Sequence, residues 1–126
     1  MTTEELNQIE RLVAILSLGL CSAIKHEVIN IDEAEHILYS PFTIKKLTEI
    51  GSHQEIIELI HAGTELEDLA SLLPKELSKT LSQIEGKTLK LLSTSSKTNP
   101  QLEKWLSQYL KEKSVSHFRE PLQRVA

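Results

Sequence analysis

Two Glu-x-x-His units, Glu33 with His36 and Glu58 with His61, have the spacing that puts a carboxylate and an imidazole on one side of a helix. In di-iron and di-manganese four-helix bundles the same spacing supplies metal ligands, each unit being joined by a glutamate from another helix, with all ligands directed inward. Here the apolar stripes point elsewhere. Ala34, Ile37 and Leu38 mark the inward side of one segment and Ile56, Ile57 and Ile60 that of the other, so both pairs fall toward solvent. The first reading is solvated surface with no metal and no cofactor; a metal-dependent enzyme built on these pairs stands behind it as an alternative.

Other reactive residue types are sparse. Glycines occur singly, so no phosphate-cradling loop is visible. Cys21, the only cysteine, sits in an apolar run; it reads as a buried structural thiol and excludes an intramolecular disulfide. His26 and His53 fall near expected helix ends, where an imidazole can complement the backbone dipole, and His117 lies near the C-terminus.

Charge is divided along the chain. The net charge is −4 over 126 residues, but residues 1–86 carry −9 and residues 87–126 carry +5. Glu65, Glu67 and Asp68, with Glu55 and Glu58 just before them, form the densest acidic region. Such a field steers encounters with an oppositely charged partner without specifying a fold. Lys104, Lys111, Lys113, Arg119 and Arg124 are interleaved with Trp105, Tyr109 and Phe118, a composition compatible with nucleic acid. Trp105 and Tyr109, however, share a helical stripe with Leu102 and Leu106 and are expected to pack inward.

The elements that must position these groups are helical. Thr2 and Glu5 have capping-box spacing, and a first helix follows through Leu6, Ile9, Leu12, Val13, Leu16, Leu20, Ala23 and Ile24. Ile15 and Leu18 make it apolar nearly all round, which predicts a central position. Gly19 costs about 1 kcal/mol relative to Ala there, so it either admits a close-crossing neighbour or marks a bend. Residues 27–31 read as a short connector with an extended character. Asp32 with Glu35, Ser52 with Glu55 and Thr64 with Glu67 are expected helix starts, as is Ser40-Pro41. Gly51, Gly63 and Pro74 are expected stops. A longer helix is expected from Lys75 to about Leu92, a linker near 93–99, and a last helix from Asn99-Pro100 through Leu110.

The result is an all-α chain, a compact orthogonal bundle of about seven mostly short helices around a central apolar N-terminal helix. Residues 1–113 form one domain and 114–126 a basic, mobile tail. No repeat period carries through. The apolar stretch from Leu12 to Ile24 is shorter than the roughly 20 residues of a membrane span, and acidic rather than basic residues precede it, so a cytoplasmic location without export or membrane insertion is expected.

From Glu5 to about Leu92 the phrases Leu-Ser-Leu-Gly-Leu at 16–20, Ile-Asp-Glu-Ala-Glu-His at 31–36, Ser-Pro-Phe at 40–42 and Gly-Thr-Glu-Leu-Glu-Asp at 63–68 resemble a family of small bacterial proteins described only as of unknown function. The resemblance implies a bacterial, cytoplasmic, helical protein and transfers no active residue.

The functional expectation is a non-catalytic protein-binding module. Its acidic face (Glu55, Glu58, Glu65, Glu67, Asp68) would dock on a partner with a basic surface, as a small acidic immunity or antitoxin-like inhibitor does. A nucleic-acid binder acting through the basic C-terminal segment is the third reading, behind the enzyme. Elemental analysis of the purified protein is expected to find no stoichiometric iron, manganese or zinc; about one or two metals per chain, lost in His36→Ala or His61→Ala, would revive the enzyme reading.

Overall fold

A computed structural model of the chain describes residues 1–95 and 107–114. These residues are helical throughout, with short turns and without a strand among them. The helices of the first compact unit, Met1–Ser96, are α1 (Thr3–Lys25), α2 (Ile31–Ile37), α3 (Pro41–Glu49), α4 (Gln54–Thr64), α5 (Leu66–Leu72) and α6 (Pro74–Thr94). The second unit begins at Lys97; within it residues 107–114 are helical, with Tyr109 and Leu110 about half exposed. The expected helix start at Asn99-Pro100, Trp105, and everything after Ser114 lie outside the described residues. The linker expected from residue 93 begins later, because α6 continues through Thr94.

The capping box of α1 is formed as expected, with Thr2 Oγ1 accepting from the Glu5 amide and Glu5 reaching back to the Thr2 amide. Three other expected caps are displaced. Asn30, not Asp32, caps α2, accepting from the Glu33 amide at 2.8 Å. Ser52 does not cap α4 because its hydroxyl donates to Glu10 of α1 at 2.7 Å, and His53 takes the N-cap position without a side-chain bond. Thr64 ends α4 instead of starting α5, its hydroxyl donating to the His61 carbonyl. Long-range or preceding-turn partners outbid the local amide in the last two cases.

Helix ends explain two turns. After α3, Gly51 at φ 79° donates to the Thr48 carbonyl and Ser52 to that of Leu47, the paired bonds of a Schellman motif. After α1 the same bonds run from Glu27 to Ile24 and from Val28 to Ala23, so the expected extended connector is a tight helix stop. The left-handed position there is held by Glu27 at φ 58°, a conformation that disfavours a Cβ.

The core is built by one row of α1. Ala14, Ser17, Cys21 and Ile24 are buried in register, and they meet Leu38 and Tyr39 at the end of α2, Leu47 of α3, Ile56, Leu59 and Ile60 of α4, Leu66 of α5, and Leu81 and Ile84 of α6. Tyr39 enters between α1 and α4: its hydroxyl lies 2.7 Å from Ser17 Oγ and 3.4 Å from Cys21 Sγ, and its ring covers Gly63. Gly63 is therefore a packing position inside α4, where a stop was expected. Burial, and then the neighbouring Cys21, pushes the Tyr39 phenol far above its ordinary pKa; burial likewise raises the Cys21 thiol.

Two further expectations change. The helical spacing of Leu66, Leu69, Leu72 and Leu73 predicts an inward stripe, but Leu72 and Leu73 are 76% and 56% exposed, because α5 ends at Leu72 and Pro74 starts α6 at once, turning that end outward. Helix α1 is one-sided, not central: Leu12, Ile15 and Leu16 are exposed at 37%, 45% and 38%, and Gly19 has no neighbouring element against it. By length and composition α1 could cross a membrane, exceeding the stretch measured on apolar residues alone; a third of that apolar window is buried inside the protein.

Glu27→Gly should raise stability by about 1 kcal/mol by relieving the left-handed backbone cost. Urea denaturation of both proteins measures the difference; an unchanged or lower midpoint would contradict the motif.

Candidate functional site

The expected acidic residues are all exposed, and they fall in two places. Glu55 and Glu58 project from successive turns of α4 into a groove of about 390 Å³ shared with Leu59, Ala62 and, from α6, Lys87, Lys90, Leu91 and Thr94. That groove is mixed in charge. Glu65 sits in the α4–α5 junction with Oε1 3.2 Å from His61 Nδ1. Glu67 and Asp68 follow on α5.

Glu67 meets α2. Its carboxylate and those of Asp32 and Glu35 lie within 4.8 Å of one another, a grouping that no single helix would produce. Partial burial and the adjacent Glu67 hold the Glu35 carboxyl above its ordinary pKa. The sequence contained the three residues but not their proximity, which depends on how α2 and α5 pack. Neither Glu-x-x-His unit joins the grouping. Glu33, His36, Glu58 and His61 are exposed on their own helices, His36 engaging Asp32 of its own turn. The backbone carbonyl and carboxylate of Asp32 raise the His36 pKa.

A second polar constellation went unread in the sequence. Glu10 is buried at 8% exposure, where α1 meets the α3–α4 turn. Its carboxylate accepts from the His53 amide and the Ser52 hydroxyl, both at 2.7 Å, and lies 2.8 Å from His53 Nδ1. Burial pushes this carboxyl upward; the His53 amide, the Ser52 hydroxyl and the His53 ring together overcome it and hold the pKa below the ordinary value. An ionised carboxylate only accepts, which places the hydrogen on His53 Nδ1. The next residue, Arg11, donates to the Leu92 carbonyl at 3.1 Å and to Ser95 Oγ at 2.7 Å, closing the C-terminal end of α6.

Glu10, Arg11, His53 and Ser95, with Asn7, Ala14, Glu55, Ile56, Leu91 and Thr94, line a cavity of about 350 Å³ between α1, α4 and α6. A signal for the buried carboxylate existed, since Glu10 heads the row Ala14, Ser17, Cys21. A charged residue in line with small core residues requires a polar partner. The arrangement is a lock: the Ser52 hydroxyl and the His53 amide both donate to Glu10, which fixes the α3–α4 turn against α1.

The two carboxyls perturb stability with opposite signs. Glu10, with its pKa lowered by folding, contributes stability above the unfolded-state value, roughly pH 4, and this is lost as pH falls through the folded value. Glu35, with its pKa raised, disfavours the folded state once pH rises through that higher value. Glu10→Gln should therefore cost about 1–3 kcal/mol at neutral pH and flatten the acid limb of the stability curve, whereas Glu35→Gln should stabilise at neutral pH. Urea melts across roughly pH 3–8, about five units spanning the ordinary carboxylate range, read both signs.

No curated protein and no solved structure matches the chain. A family described as a protein of unknown function, DUF3969, matches residues 4–107, an interval that takes in α1 from its second residue, α2 to α6 and both polar constellations. The chain belongs to this DUF3969 family.

Proposed function

We propose that the protein is a non-catalytic binding module that docks its acidic α2, α4 and α5 surface on a basic face of a protein partner. The observation that carries this reading is the convergence of Asp32, Glu35 and Glu67 from two helices. Partial burial and then the adjacent Glu67 and Asp32 raise the Glu35 pKa, and a cationic side chain from a partner would relieve the crowding of the three carboxylates. Glu55, Glu58, Glu65 and Asp68, all exposed, extend the same sign of charge over α4 and α5. The −9 charge of residues 1–86 adds a longer-range field that raises association rates.

The Glu10 lock supports a structural use of this buried carboxylate. An immunity or antitoxin-like inhibitor, working in the cytoplasm of a bacterium, is the concrete form this module would take. Its orthogonal helical packing would serve as a rigid support for the surface charges.

The test starts from an affinity pull-down in the native host with mass spectrometry of the recovered protein. Glu58→Lys with Asp68→Lys leaves the capping bonds untouched and should keep helicity by circular dichroism, with stability changed by only about 0.5 kcal/mol. Association with the recovered partner at low salt should slow by about tenfold or more, and its salt dependence should shrink. Unchanged low-salt association would reject the acidic surface as the docking face.

A further inference from the structure

The outward side of α1 is used by neither the core nor the acidic surface. Leu12, Ile15, Leu16 and Gly19 share it, all exposed. Leu89, 51% exposed, lies one turn beyond Glu85 on the flank of α6 that reaches Lys25, and it widens the apolar surface beside α1. The centre line of this side is a row at intervals of seven: Glu5, Leu12, Gly19, His26. At about 3.6 residues per turn such a row stays on one face of a helix and forms a seam for a neighbouring helix.

We propose that this face is the interface of a two-fold homodimer in which α1 packs antiparallel against α1 of a second copy. The row itself sets the direction and register. Read antiparallel about the Ile15 and Leu16 level, Leu12 of one copy falls on Gly19 of the other, Ile15 on Leu16, and Glu5 on His26. A large apolar side chain then meets a position with open space where its Cβ would be. Glu5 of the acidic first turn then meets His26, just past the C-terminal end of the other copy's α1.

A parallel pairing would set Leu12 on Leu12, Gly19 on Gly19 and Glu5 on Glu5, leaving a gap at one level and like charges at another. Antiparallel helices also align each positive N-terminal dipole end with a negative C-terminal one. The interface is isologous, so every contact occurs twice, and Gly19 acts as the receiving hole on both copies. This use of Gly19 accounts for a glycine in the middle of the longest helix, which its own fold does not require. The inference is independent of the acidic docking surface and would survive its rejection.

Analytical ultracentrifugation of the full chain from about 5 to about 500 μM, bracketing a micromolar dissociation constant, is expected to show reversible dimerisation. Gly19→Glu should weaken the dimer by about a hundredfold, two decades in dissociation constant, without altering the helical signal, since nothing packs against Gly19. Register is read by oxidation. The Leu12→Cys, Gly19→Cys double variant should cross-link into dimers, the Leu12→Cys single variant should not, and the parent chain supplies the control because Cys21 is buried. A chain monomeric throughout this range overturns the proposal, including one that adheres to lipid vesicles instead. So does a dimer indifferent to Gly19→Glu, or cross-linking by Leu12→Cys alone.

Discussion

Tyr39 is the side chain on which the bundle depends. It follows α2 directly, is 1% exposed, and spans the space between α1 and α4. The opening it fills exists because α1 offers Ser17 and Cys21 and α4 offers Gly63, three small residues from two helices. An aromatic ring buries more apolar surface than an aliphatic side chain at this position could, and the Ser17 hydroxyl satisfies the phenol inside the core. Once Tyr39 is seated, the end of α2 is fixed against α1. Asp32 and Glu35 of α2 then face Glu67 of α5, so the acidic cluster is a consequence of core packing.

Glu10 plays a complementary part at the other end of α1. A carboxylate at this depth must be paired, and the α3–α4 turn supplies the donors by its Schellman ending at Gly51, which directs Ser52 and His53 back to α1. Arg11, one residue on, ties the C-terminal end of α6 to the same turn of α1. Helix α1 thus organises the bundle from its inward row and two charged residues, leaving its outward row for a different purpose.

Much of the helical order was legible in the sequence. The Thr2 and Glu5 capping box, Ser40-Pro41 at the start of α3 and Gly51 after it are local signals, and local bonds form there. Ser52 and Thr64 misled because their hydroxyls found Glu10 and the His61 carbonyl, partners that a capping pattern does not weigh. Gly63 looked like a stop because glycine ends helices more often than it admits a tyrosine ring. The exposed positions of Glu55, Glu58, Glu65, Glu67 and Asp68 followed from helical periodicity. The approach of Glu67 to Asp32 and Glu35 did not, since contacts between helices are set by packing that one-dimensional spacing does not encode. Glu10 was readable in principle from its alignment with Ala14, Ser17 and Cys21.

Urea denaturation of Gly63→Ala tests the dependence on Tyr39 most directly, because two effects of opposite sign compete there. Alanine at a helical position with free space stabilises by about 1 kcal/mol relative to glycine. Beneath the Tyr39 ring, however, the new Cβ would occupy volume the ring already fills, and overpacking of a core costs about 1–3 kcal/mol or more. A net loss of stability, reduced when Tyr39→Leu is added to make room, is the predicted result. A Gly63→Ala protein as stable as the parent, or more so, would contradict the account.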